Sequence, residues 1–296
     1  MRGKQQENLI SRQYKRNSPF MESWRRIRTN PGAVFGLCLL LLIILMTIGS
    51  FFFISTDQIT TINPSNRFSP PSAEYPFGTD DMGRDLFLRT IYGSRYSLAI
   101  GFGAVGFGLV IGVFMGAIAG YFGGTLEEVL MRVTDVIASI PALLLGMVIV
   151  SVIGPGLMNL LIAVGFSSIA GFIRMTRAAV LTVKGNEYVE SAKAIGMSQF
   201  RIIFTQVLPN SISPLIVSAT SRMATTILSA AGLSFLGFGV PVPLPEWGAL
   251  IAGGRAFMKM APHLTLFPGL FIMAITFACA LLGDGLRDAL DPRLKQ

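Results

Sequence analysis

The sequence predicts an all-α, polytopic membrane protein with about six transmembrane helices. Three observations carry that expectation. Of the 296 residues, 52% are hydrophobic and only 14% charged, and the mean hydropathy is +0.61, a composition typical of membrane proteins. Uncharged apolar runs recur at lengths able to cross a bilayer, which takes about 20 helical residues. Lysine and arginine return between these runs on alternate sides, the charge bias that orients membrane proteins. The net charge of +8 and the pI near 9.9 therefore reflect segments flanking apolar runs, and no nucleic-acid partner is expected. Cys38 and Cys279 both fall inside apolar spans, without metal-like spacing, and are expected to be buried hydrophobes.

Taken in order, residues 1–32 form a basic tail. Arg2, Lys4, Arg12, Lys15, Arg16, Arg25, Arg26 and Arg28 stand against Glu7 and Glu22, which places the N-terminus in the cytoplasm. The first span is expected at 33–55, inside the uncharged run 32–54. That run exceeds the ~7–15 residues of a signal-peptide core, and Phe51-Phe52-Phe53 offers no cleavage site. Residues 56–96 are expected as an extracytoplasmic loop. Its Asp80-Asp81 pair would cap a short helix, and Leu86, Arg89 and 91–95 would make an interfacial amphipathic segment.

Residues 97–284 are expected to hold five further spans. The first of them carries Gly108, Gly112, Gly116 and Gly120, four apart and so on one helix face. Such a ladder forms a groove into which a neighbouring helix can pack closely. The uncharged stretch between Asp135 and Arg174 is too long for one span, and Gly154-Pro155-Gly156 divides it into two. Asp135 and Pro141 then lie towards a cytoplasmic end, where Arg174 and Arg177 return.

Residues 184–210 form the most polar part of the second half. Tyr188, Ala192 and Ile195 fall at i, i+4 and i+7 beside Glu187, Glu190 and Lys193, which predicts a short amphipathic helix. Gly196 stands where a helix ends in a left-handed residue, and Ser198 can cap the next helix. Phe200, Ile203, Phe204 and Val207 make a second apolar face. Pro209 is expected to stop that helix, with Asn210 or Ser211 capping the next span. A helix pair held between two spans is expected to seat its stripes in a partner's groove.

The fifth span, 211–238, contains one charge, Arg222, about 16 Å along the helix. A charge near the bilayer centre must face protein or water. Arg222 is a candidate to face a translocation pathway, where it would meet a peptide carboxylate or an acidic residue of a partner permease subunit. A structural pair with Asp135, or simple solvation, are the alternatives. Residues 240–262 return outside, with Trp247 suited to an interfacial anchor. The last span comes next, and 285–296 form a short cytoplasmic tail.

Several phrases resemble one family. Glu190, Ala192, Gly196 and Leu208-Pro209 have the spacing of the cytoplasmic "EAA" loop of ABC-importer permeases, with Ser191 in place of the second alanine and Gln206 in place of an apolar residue. Gly78-Thr79-Asp80-Asp81-Met82-Gly83-Arg84-Asp85 resembles the GTDxxGRD signature of the dipeptide, oligopeptide and nickel branch. LSFLGFG at 233–239, PEWG at 245–248 and GDGLRDALDPRL at 283–294 look like the same branch, so the resemblance covers about 78–294. It implies the type I ABC importer permease architecture in a bacterial inner membrane. It also implies that Glu187, Tyr188, Glu190, Ala192, Ile195, Gly196, Phe200, Phe204 and Pro209 couple to an ATPase subunit. The partners implied are a second homologous permease subunit, two cytoplasmic ATPase subunits, an extracytoplasmic solute-binding protein and membrane lipid. The cargo implied is a di- or oligopeptide, with nickel or a metal chelate as the alternative.

The chemistry absent from the sequence agrees with a passive gate. A P-loop needs Gly-Lys-Ser/Thr, but the one Gly-Lys pair, Gly3-Lys4, precedes Gln5. HExxH and GxSxG motifs are missing as well, and the single histidine is His263. No enzyme activity, cofactor or metal is expected of this chain; ATP and Mg would be bound by partner subunits. An ion-coupled secondary transporter would want repeats and paired intramembrane acids, and no clear repeat is found. A structural or assembly membrane protein remains the third class.

Overall fold

The computed structural model describes residues 19–290. The basic residues Arg2, Lys4, Arg12, Lys15 and Arg16, and positions 291–296 of the expected C-terminal tail, lie outside the described residues. Helix α1 (Pro19–Thr29) leads into α2 (Pro31–Phe53). Asn30 separates them because its side chain accepts from Ala33 N at 3.1 Å and Pro31 occupies the first helical turn, a favourable helix start. Ile27 of α1 packs with Ala33, Leu286 and Ala289, so part of the expected tail is a helix folded onto the last one.

After the short helix α3 (Thr56–Thr60), the chain enters α4 (Leu86–Phe122) of 37 residues. At 1.5 Å per residue α4 is roughly 55 Å long, well beyond the ~30 Å hydrocarbon core. This corrects two expectations. Residues 86–96 are not a separate interfacial element: nothing breaks the helix there, and Leu86, Arg89, Ile91 and Tyr92 are buried. Its cap is Asp85, which accepts from Phe87 N and Leu88 N at 2.8 and 3.2 Å, rather than Asp80-Asp81.

The third span is also not straight. Helices α5 (Gly124–Ser139) and α6 (Ala142–Ile153) meet at 91°. Pro141 cannot donate into a helix and holds Ile140 extended, at φ −88°, ψ 125°, the usual constraint on a residue before proline. Gly154 and Gly156, both at positive φ, then turn the chain into α7 (Leu157–Val183).

Two short helices, α8 (Glu187–Ala194) and α9 (Gln199–Ile202), precede α10 (Ile212–Leu233), α11 (Trp247–Gly254) and α12 (His263–Leu290). Helix α12 runs six residues into the expected tail 285–296. Among the described residues four helices (α2, α4, α7 and α12) are each long and apolar enough to cross a membrane, and the number rises to six if each of two bent pairs is one span. No extended strand occurs among the described residues.

The core lies where α2, α4, α10, α11 and α12 converge, around Ile43, Ile227, Trp247, Ile275 and Cys279. Cys38, by contrast, is exposed on the bundle surface. Trp247 is not an interfacial anchor: it is 0% exposed and donates from Nε1 to Thr90 O at 2.8 Å. Burial satisfies both its apolar ring and its single donor. The backbone approach that allows this is tight, since a Cβ on Gly93 would fall 1.8 Å from Pro245 O.

Candidate functional site

The 184–210 segment is clamped onto one end of the bundle. Helix α8 ends on Gly196 at φ +80°. There Met197 N donates to Ala192 O at 3.1 Å and Gly196 N to Lys193 O at 3.0 Å, the paired bonds of a glycine-terminated helix. Beyond it the chain continues through Ile203–Val207 as a π-helical turn into Leu208–Asn210. Pro209 supplies the reason: it has no N–H for the regular ladder, and the wider turn absorbs the loss. The helix is therefore not stopped at Pro209. It crosses that residue and bends by 64° at Ser211 before α10, where Ser211 Oγ donates back to Val207 O at 2.9 Å rather than capping forward.

One face of this segment does find a core within the chain, which corrects the expectation that a partner must supply one. Val189, Ala192, Ile202, Ile203 and Val207 are buried against Ala117 and Tyr121 of α4 and Val180 and Val183 of α7. Lys184 Nζ adds a bond to Gly120 O at 2.8 Å, meeting a carbonyl that the end of α4 leaves unpaired. The same two stripes are only partly covered. Tyr188, Ile195, Phe200 and Phe204 are 39%, 78%, 59% and 52% exposed, and Glu187, Glu190 and Pro209 are exposed beside them. Val189 and Ile202 carry the packing, and their spacing alone does not single them out.

Helices α4 and α7 run parallel, and the glycine ladder lies between them. A Cβ on Gly108 would meet Ser168 Oγ at 2.1 Å, and one on Gly112 would meet Phe172 Cβ at 2.3 Å. At Gly116 and Gly120 the nearest atoms are Ile173 O at 2.6 Å and Arg177 O at 2.9 Å. All four positions thus admit the backbone or first side-chain atoms of α7.

Arg222 stands on α10 and reaches towards α7. Its guanidinium carbon is 5.1 Å from the Phe172 ring centroid, and its Nε donates to Ser218 Oγ at 3.3 Å. It does not pair with Asp135, which meets Arg174 at 2.7 Å instead. A cavity of about 140 Å³ opens beside Arg222, lined also by Ser167, Ser168, Thr225, Thr226 and Ser229. Reading for charge alone misses those hydroxyls, although Arg222, Thr225, Thr226 and Ser229 fall at i, i+3, i+4 and i+7, the spacing of one helix face.

At the other end of the bundle the 78–85 octet folds into a tight knot. Gly78 and Gly83 both take φ +75°. Asp80 is buried, and its Oδ1 accepts from Met82 N and Arg84 N at 2.9 and 3.0 Å. Its Oδ2 accepts from Arg84 Nε at 2.7 Å and lies 3.5 Å from Arg89 Nε. Arg89 also donates to Ile59 O at 2.7 Å, and Asp81 sits 3.7 Å from Arg84. Nearby, Glu246 caps α11 by accepting from Gly248 N and Ala249 N at 2.9 and 3.0 Å. Burial pushes the Glu246 carboxyl above its usual range, against the lowering effect of these bonds.

Comparison with known proteins adds to this geometry. Residues 108–296 match the family described as binding-protein-dependent transport system inner membrane component. Residues 18–71 match the N-terminal TM domain of oligopeptide transport permease C. The dipeptide transport system permease protein DppC of Alkalihalophilus pseudofirmus is 44% identical, over 96% of this chain and 93% of that protein. The di/tripeptide permease protein DppC of Pseudomonas aeruginosa is 40% identical over 94% of this chain and 93% of its own length. The glutathione permease protein GsiD of an Escherichia coli strain is 41% identical over 94% and 92%. Among solved structures, a chain of the inward-facing MetNI methionine ABC transporter superposes with a TM-score of 0.58 at 19% identity, covering 70% of this chain and 98% of that one. That likeness concerns the fold alone.

Proposed function

We propose, because this chain belongs to the family of binding-protein-dependent transport system inner membrane components, that it forms half of a membrane pathway for di- or oligopeptides. Membership makes it a permease component of an ABC importer rather than an enzyme, with no cofactor of its own. The peptide assignment rests on relatives at 40–44% identity that carry dipeptide and di/tripeptide names. The end of the bundle bearing α1 and 184–210 faces the cytoplasm. A second permease subunit completes the pathway, two ATPase subunits bind ATP and Mg, and a solute-binding protein delivers cargo outside.

One observation supports the coupling role most directly. The 184–210 segment grips α4 and α7 with some of its apolar side chains and leaves others, Tyr188, Ile195, Phe200 and Phe204, exposed. An exposed apolar patch on a rigid mount suits a protein partner. The ATPase subunit takes that patch, with Glu187 and Glu190 at its rim and Gly196 setting the angle between the two helices. Closure of the ATPases on ATP pushes α8 and α9. The buried face passes that push to the joined α4–α7 pair, and the 64° bend at Ser211 passes it to α10. Alternating access is then a rigid-body movement about that bend.

The test is a Phe200→Ser, Phe204→Ser double variant in the assembled importer. Both side chains are more than half exposed, so the variant is expected to fold and reach the membrane. ATP hydrolysis stimulated by the binding protein is expected to fall at least tenfold, and less ATPase subunit should co-purify. Undiminished stimulation would remove the coupling role from this face.

A further inference from the structure

Arg222 is held from behind and open in front. Behind it lie the Phe172 ring and the space over Gly171, where a Cβ would fall 2.1 Å from Arg222 Nη2. Glycine at 171 is thus what seats the guanidinium. Its Nε is engaged by Ser218 Oγ, and no carboxylate pairs with it among the described residues. In front, the face of α10 continues as Thr225, Thr226 and Ser229, and Ser168 of α7 stands across the 140 Å³ cavity. Ser168 Oγ donates to Gly165 O at 2.7 Å and Thr225 Oγ1 to Arg222 O at 3.0 Å. Their protons are committed to backbone, so the guanidinium Nη groups are the strongest uncommitted donors in the cavity. A fixed cation with no counter-charge at membrane depth is costly and marks a pathway, and a guanidinium matches a carboxylate with two parallel bonds.

The geometry points to Arg222 as a transient carboxylate subsite, at which a peptide's C-terminal carboxylate pairs with the guanidinium during passage. This rests on the reading of the chain as half of a peptide pathway. The site holds one cation and hydroxyls rather than a cage of cations, which suits a stop that must also release.

The experiment replaces the exposed Thr225, one turn from Arg222, by cysteine (Thr225→Cys) in the assembled importer in proteoliposomes. Cys38 is replaced by Ser, and Cys279 is left because it is fully buried. Labelling rates are compared for two thiol-reactive methanethiosulfonates of similar size, one bearing a sulfonate and one a quaternary ammonium. The ratio of the two rates cancels any effect of Arg222 on the thiol itself. The ratio is expected to favour the sulfonate, to drop about tenfold in Arg222→Gln, and to be retained in Arg222→Lys. Millimolar dipeptide should slow labelling in the Arg222 background, and its C-terminal amide should not. A ratio unaltered by Arg222→Gln overturns the subsite, as does a thiol at position 225 that reacts with neither reagent. Dipeptide uptake by the unsubstituted importer is measured alongside. Its absence overturns the peptide reading, whereas an unaltered ratio with uptake intact overturns the subsite alone.

Discussion

Replacing Gly112 by Ala adds one methyl group at the tightest carbon contact between α4 and α7. The new Cβ would start 2.3 Å from Phe172 Cβ and 3.2 Å from Ile169 O and Ile173 N. Ordinary carbon contacts lie at about 3.5–4.0 Å, so α7 has to retreat by more than an ångström. The obstructing atoms are backbone and a Cβ, none of which can rotate aside. The retreat also opens the neighbouring approaches at Gly108 and Gly116, which depend on the same helix separation. Overpacking of this kind costs ~1–3 kcal/mol. Gly106 supplies a control on the same helix, because a Cβ there would meet nothing within 4 Å. Gly106→Ala should be neutral or gain up to ~1 kcal/mol of helix propensity. The assay is survival of the purified permease complex after a heating series, read by fluorescence-detected size exclusion. Gly112→Ala should melt lower than the parent and Gly106→Ala at or above it. Equal melting of the two variants would refute the claim that backbone contact joins these helices.

The buried charges carry two further outcomes. Asp80→Asn removes the one buried carboxylate that Arg84 and Arg89, both buried, share, leaving Arg84 only the longer contact to Asp81, and should cost ~3–5 kcal/mol. Asp81→Asn, at a partly exposed 3.7 Å pair, should cost less than ~1 kcal/mol; urea or heat unfolding of the two variants checks the difference. For Glu246 the sign comes from burial. Its carboxyl is raised above the ordinary value of 4.5, so the folded chain binds the proton more tightly than the unfolded one. Its contribution to stability is full below that ordinary value and is lost as pH rises through the raised one. Glu246→Gln should flatten this part of the melting-temperature profile, and an identical slope would count against the assignment.

Elements whose cause is local are legible in the sequence. The apolar runs announce α2, α7 and α12 because a helix in lipid must satisfy its backbone internally and cover itself with apolar side chains. Gly154-Pro155-Gly156 announces the turn before α7. Gly196 announces the end of α8, since few other residues take φ +80° without strain. Hydropathy does not tell lipid from protein as the apolar surroundings. For that reason Trp247 reads as an anchor and is a core residue, and 86–96 reads as a surface element and is the buried start of α4.

Residue order alone is enough to specify a multi-span permease of a known family, the polar segment between its fourth and fifth spans, and the lone charge in the fifth. Which face of each does what emerges only once the helices are packed. In 184–210, the ends of α4 and α7 claim Val189, Ile202 and Ile203 and leave Tyr188, Ile195, Phe200 and Phe204 outward. In α10, Gly171 and Phe172 claim the back of Arg222 and leave its front to a hydroxyl-lined cavity. The cause is the same in both: periodicity places residues on a helix face, but which face is covered depends on neighbours brought in from far along the chain.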